Sequence, residues 1–132
     1  MAIPDLTIDE AWTMLEGDER AVLIDVRTRA EWQFVGVPNV APLSREVRLV
    51  EWTRYPDGSS NPSFVADASA GLDPDQPVLM LCRSGVRSRA AGEALAAVGL
   101  NTFNVANGFE GDLDANGHRQ GGWKHHLPWS QS

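Results

Sequence analysis

Two short runs of branched apolar residues constrain this chain more than any other feature: Ala21-Val22-Leu23-Ile24-Asp25-Val26 and Val78-Leu79-Met80-Leu81. Both are too short and too continuous for an amphipathic helix, which leaves a strand covered on both faces. Such strands belong to a parallel sheet with helices above and below, and the intervening segments supply helical patterns. Thr7 and Glu10 form a capping box before Ile8, Ala11, Trp12 and Leu15, so a first helix runs from Thr7 to about Glu16 and stops at Gly17. Thr28 and Glu31 form a second box over a short helix reaching about Phe34. Val37 to Leu43, broken by two prolines, is an edge at best. The spacing of Val47, Val50 and Glu51 predicts a helix from Ser44 to Tyr55, ended by Pro56-Asp57-Gly58, and a shorter helix is expected over Ser63 to Ser69. Ser88 to Val98 is an alanine-rich helix closed by Gly99, and Thr102 to Val105 is a third strand. The turn-rich end from Gly108, carrying Trp123 and Trp129, is expected to wrap back over the fold.

The 132 residues are expected to form one domain, with a hydrophobic fraction of 42% that suits a globular core. A net charge of -7 argues against a general nucleic-acid or anionic-membrane binder, so any anion must meet a local basic patch. No apolar run spans a bilayer and the N-terminus has no signal-peptide pattern, which gives a cytoplasmic expectation. The lone cysteine, Cys82, excludes an intramolecular disulfide or a thiolate cage for zinc.

That basic patch has an obvious place. Cys82-Arg83-Ser84-Gly85-Val86-Arg87-Ser88 joins the end of a buried strand to a helix start, where open parallel sheets bind ligands. Backbone N–H groups curling inward ahead of a helix N-terminus cradle negative charge, which favours the thiolate and makes it available as a nucleophile. Gly85 frees the backbone to take that shape, and Arg83 and Arg87 put two fixed charges beside the sulfur. A buried spectator cysteine would explain neither the glycine nor the crowded arginines.

Ala21 to Arg27 with Glu31, Pro38, the loop from Cys82 to Ser88, and the Gly108-Phe109 to Trp123 to Pro128 tail together resemble a single-domain rhodanese over nearly the whole chain. The resemblance implies an α/β, rhodanese-like three-layer fold, a central mostly parallel sheet flanked by helices. It implies sulfur transfer with Cys82 as the catalytic residue, taking a sulfane sulfur from a small anionic donor such as thiosulfate. The persulfide is then passed to a thiol, cyanide or a protein cysteine, with no cofactor, metal, nucleic acid or membrane involved. Arg83, Ser84, Gly85, Val86, Arg87 and Ser88 fall at substrate-binding positions, Arg83 as the exposed anion contact. Asp25, Arg27 and Glu31 fall at supporting ones, with Glu31 or Asp25 as counter-ion to Arg87. The chain departs from the family around Pro38, where it has Gly36 and Asn39, and is longer over Ser44 to Asp73 and Asp112 to Gly122.

Two other readings of the loop are a cysteine phosphatase or arsenate reductase, and a non-catalytic interaction module. Phosphatases of this kind need a loop one residue longer. Four residues lie between Cys82 and Arg87, and at the longer spacing this chain has Ser88. An interaction module often lacks the cysteine, which is present here. Asp112, Asp114, Asn116 and Gly117 copy only the first half of a calcium loop, and Trp123 stands where the bidentate glutamate belongs, so an Asx-rich turn is expected.

Overall fold

The computed structural model describes residues 2–131. Its centre is a five-stranded sheet in which every pairing is parallel, with β1 (Asp5–Leu6), β6 (Asn101–Val105), β5 (Pro77–Leu81), β2 (Val22–Asp25) and β4 (Arg48–Leu49) side by side in that order. The apolar runs are continuous because each face of the sheet meets its own core. Leu23, Leu79 and Leu81 join Ile8, Ala11 and Leu15 of α1 (Ile8–Gly17), together with Phe109 and Trp123. Ile24, Val26, Val78, Met80 and Cys82 point the other way, onto Phe64 and Ala68 of α3 (Phe64–Ser69) and Ala91 and Leu95 of α4 (Val86–Ala97). Alternation with period two therefore sorts one apolar run into two cores.

Both capping boxes form. Thr7 caps α1, Thr28 caps α2 (Arg29–Phe34), and each side chain accepts from the backbone of the third helical residue while the glutamate there reaches back.

The expected helix from Ser44 to Tyr55 is absent, and the correction has a clear cause. β2 offers a free edge that this segment fills: Ile24 pairs with Arg48 and Asp25 with Leu49, then the Val50 N–H donates to the Asp25 carbonyl and the Trp52 N–H to the Val26 carbonyl. Val47 joins one core while Val50 and Trp52 join the other. Arg48 donates from Nη1 to the Ala68 and Ala70 carbonyls at 2.9 Å each, satisfying the end of α3.

The tail does wrap back. After the hairpin β7 (Gly111–Leu113) and β8 (Arg119–Gly121), α5 (Trp123–His126) buries Trp123 completely, and β9 (Trp129–Ser130) pairs antiparallel with β3 (Val37–Pro38). The hairpin tip is the Asx turn expected from its sequence: one Asp114 carboxylate oxygen accepts from the Asn116 and His118 N–H groups, and Gly117 has φ +77°. Among the described residues no helix is long and apolar enough to cross a membrane.

Candidate active site

β5 delivers Cys82 to the C-terminal edge of the sheet, and the chain then turns into α4 within three residues, Arg83, Ser84 and Gly85. The helix starts at Val86, two residues before the expected Ser88, because Gly85 takes φ +104° and reverses the chain direction there. Arg87 and Ser88 therefore lie on the first turn of α4. The Gly85 N–H donates to Cys82 Sγ at 3.2 Å, and the sulfur is fully buried.

The loop is held from behind by the segment after β6. The Phe109 N–H donates to the Cys82 carbonyl at 2.8 Å, and the Glu110 N–H to the Arg83 carbonyl at 3.0 Å. A Cβ on Gly108 would stand 2.5 Å from Arg83 backbone atoms, and one on Gly85 would stand 2.3 Å from the Ala106 carbonyl oxygen. Close approach, not only backbone freedom, is the reason both positions are glycine. Ser88, fully buried, donates to Asn104 Oδ1 at 2.5 Å, and the Asn104 amide donates to the Gly85 carbonyl at 3.2 Å and to Asp5 at 3.1 Å. Asn104 escaped the sequence reading. Its signal was a polar residue between Phe103 and Val105 of a short strand, which has to find partners when buried.

Each arginine has its own acid. Arg87 forks onto Glu31, Nη1 to Oε1 at 2.6 Å and Nη2 to Oε2 at 2.9 Å, so Glu31 and not Asp25 is its counter-ion. Burial would raise the Glu31 carboxyl, but its hydrogen bonds to Arg87 and to the Thr28 backbone outweigh that and hold it below the usual carboxylate range. The Glu31 hydrogen bonds raise Arg87 against the opposing effect of burial, and the carboxylate charge of Glu31 adds to the rise. Arg83 is half exposed at the loop rim with Nε 3.1 Å from Glu110 Oε2. Val86 beside it is exposed.

Asp25 and Arg27 form a separate, fully buried pair. Arg27 Nε and Nη2 meet both Asp25 oxygens, Nη2 also donates to the Gly36 carbonyl at 2.6 Å, and the guanidinium carbon stands 4.2 Å over the Phe109 ring. The pair thus ties the end of β2 to the turn after α2 and to the segment behind the loop. It supports the site from below.

A family model described as "Rhodanese-like domain" matches residues 7–115. The chain belongs to the rhodanese-like family. The mixed α/β fold built on the five-stranded parallel sheet matches solved structures, a rhodanese-like domain protein from Staphylococcus aureus among them. The crystal structure of Rv0390 from M. tuberculosis superposes with a TM-score of 0.88 at 47% identity, covering 100% of both chains. The polysulfide-sulfur transferase homodimer of Wolinella succinogenes gives a TM-score of 0.62 at 21% identity over 98% of this chain and 80% of that one, a likeness of fold alone. Among curated relatives, an uncharacterized protein of Rickettsia conorii is 34% identical over 132 residues, 98% of each chain. A thiosulfate sulfurtransferase, GlpE, of Actinobacillus succinogenes is 30% identical over 112 residues, 84% of this chain and 85% of that one. This rhodanese-like chain therefore sits in a sulfurtransferase family, and its cysteine loop lies inside the matched region.

Proposed function

We propose that this protein moves sulfane sulfur through a persulfide on Cys82. The observation that carries the reading is the Gly85 N–H aimed at Cys82 Sγ from 3.2 Å within a loop that closes after three residues. Such a ring stabilises a sulfur anion at its centre. In the first half-reaction the Cys82 thiolate attacks the outer sulfur of a donor such as thiosulfate; the donor S–S bond breaks, sulfite leaves with its electron pair, and the new S–S bond makes the persulfide. In the second half-reaction a thiolate or cyanide attacks the outer sulfur and Cys82 departs as thiolate. Each half-reaction exchanges one bond to the sulfane sulfur for another, and the electron pair of the broken bond leaves with sulfite or with Cys82, so the chemistry needs no oxidant or reductant beyond the donor and the acceptor. Arg87 stands on the first turn of α4, and its ion pair with Glu31 holds its side chain in place there.

Intact mass after incubation with thiosulfate tests the assignment. The wild-type protein is expected to gain one sulfur atom and lose it on addition of cyanide, whereas Cys82→Ala gains none. Retention of the added sulfur in Cys82→Ala would overturn the role given to Cys82.

A further inference from the structure

Both arginines that follow Cys82 between the end of β5 and the first turn of α4 are matched by carboxylates before any donor arrives. Arg87 is forked onto Glu31, and Arg83 is paired with Glu110. Glu110 is no loose surface acid: its side chain is only 19% exposed, against 47% for Arg83. Its backbone N–H also donates to the Arg83 carbonyl at 3.0 Å, so peptide and side chain both fasten it to the same residue. Arg27, at the end of β2, is fully buried and its charge is matched by Asp25. Among the described residues of the loop, then, no arginine is left without an opposing carboxylate. The most exposed side chain on this first turn is Val86, at 78%.

Thiosulfate presents two negative charges and a sulfonate head. A persulfide, RSS⁻, presents one charge at the sulfur end and carries an organic group behind it. We propose that Glu110 determines the donor class, neutralising Arg83 so that the loop favours a persulfide over dianionic thiosulfate, with Val86 offering apolar contact to the organic group. This rests on the Cys82 persulfide reading. The step balances without a co-reactant: the Cys82 thiolate attacks the outer sulfur of RSS⁻, the donor S–S bond breaks, RS⁻ leaves with the electron pair, and Cys82 carries the persulfide.

The experiment measures kcat/KM with thiosulfate and with cysteine persulfide in the wild type, Glu110→Gln, Glu110→Ala, Arg83→Ala and the Arg83→Ala, Glu110→Gln double variant. The wild type is expected to prefer cysteine persulfide. Freeing Arg83 in Glu110→Gln should shift the donor ratio towards thiosulfate by about fivefold, chiefly through a lower KM for thiosulfate, the size expected for a partly exposed pair. Glu110→Ala should shift it the same way, and the shift should vanish when Arg83 is also removed. A donor ratio that stays put in both Glu110 variants, or a gain that persists without Arg83, overturns the proposal. Persulfidated serum albumin, run as a third donor, separates a protein-held persulfide from a free one. Intact mass keeps the two readings apart: if no donor loads sulfur on Cys82, sulfur transfer itself fails, whereas loading with an unchanged ratio sinks only the role of Glu110.

Discussion

Arg27 and Asp25 show how much a single charged pair holds in place here. Neither side chain touches solvent, and the guanidinium also carries the Gly36 carbonyl and stacks over Phe109. Removing the cation strands the Asp25 carboxylate in the interior, so Arg27→Ala is expected to cost about 3 to 5 kcal/mol in urea unfolding. Glu31 acts at the same scale with a signature in pH. Its folded carboxyl lies below its unfolded value of about 4.3, so the stabilisation is complete above that pH and is lost as pH falls through the folded value. The stability gap between wild type and Glu31→Gln is therefore expected to stay level from pH 8 to about 5 and to shrink below about 4. A gap that persists undiminished to pH 3 would contradict the linkage.

At the scale of elements, the loop between β5 and α4 sets what can sit on the sulfur. With Gly85 N–H 3.2 Å from Sγ and α4 already under way at Val86, the ring is expected to close around a single atom, whereas a phosphoryl group brings three equatorial oxygens. No meaningful aryl phosphate turnover is expected from the native protein, and a glycine inserted after Ser84 should weaken sulfur transfer while widening the ring for oxyanions; efficient native phosphate hydrolysis without sulfur transfer would reverse the reading. This loop was legible in the sequence because its chemistry is local: cysteine, glycine and arginines within six positions, Cys82 to Arg87. The two capping boxes were legible for the same reason, since Thr7 and Glu10, or Thr28 and Glu31, satisfy one another within a turn. What stayed hidden depends on partners far along the chain. The segment around Val50 reads as helix until β2 supplies an unpaired edge, and β1 is only two residues long, recognisable by its pairing with β6. Glu110 and Asn104 were missed for that reason too: nothing near Glu110 in sequence announces Arg83, and Asn104 meets Ser88 only because β6 lies beside β5, which leads into α4.

For the molecule as a whole, charge works against its own donor. The chain carries a net charge of -7, while the loop arginines that could attract an anion are already paired. A dianion approaching from bulk water therefore meets a repulsive long-range field, and only short-range amide and guanidinium contacts reward its arrival. Salt shortens the reach of that field to about 8 Å at 0.15 M ionic strength, but it screens tightly held contacts inside the loop much less. Raising ionic strength from 0.01 M to 0.15 M with a weakly coordinating salt is thus expected to increase kcat/KM for thiosulfate by on the order of a few-fold. The persulfide donor, with one charge at its reactive end, should respond less. A fall in kcat/KM for thiosulfate over the same range would mean that local positive charge at the rim dominates encounter. The same assay in Glu110→Gln then becomes the internal control: freeing Arg83 adds local attraction on top of the global repulsion, so the rise with salt should flatten or reverse in that variant.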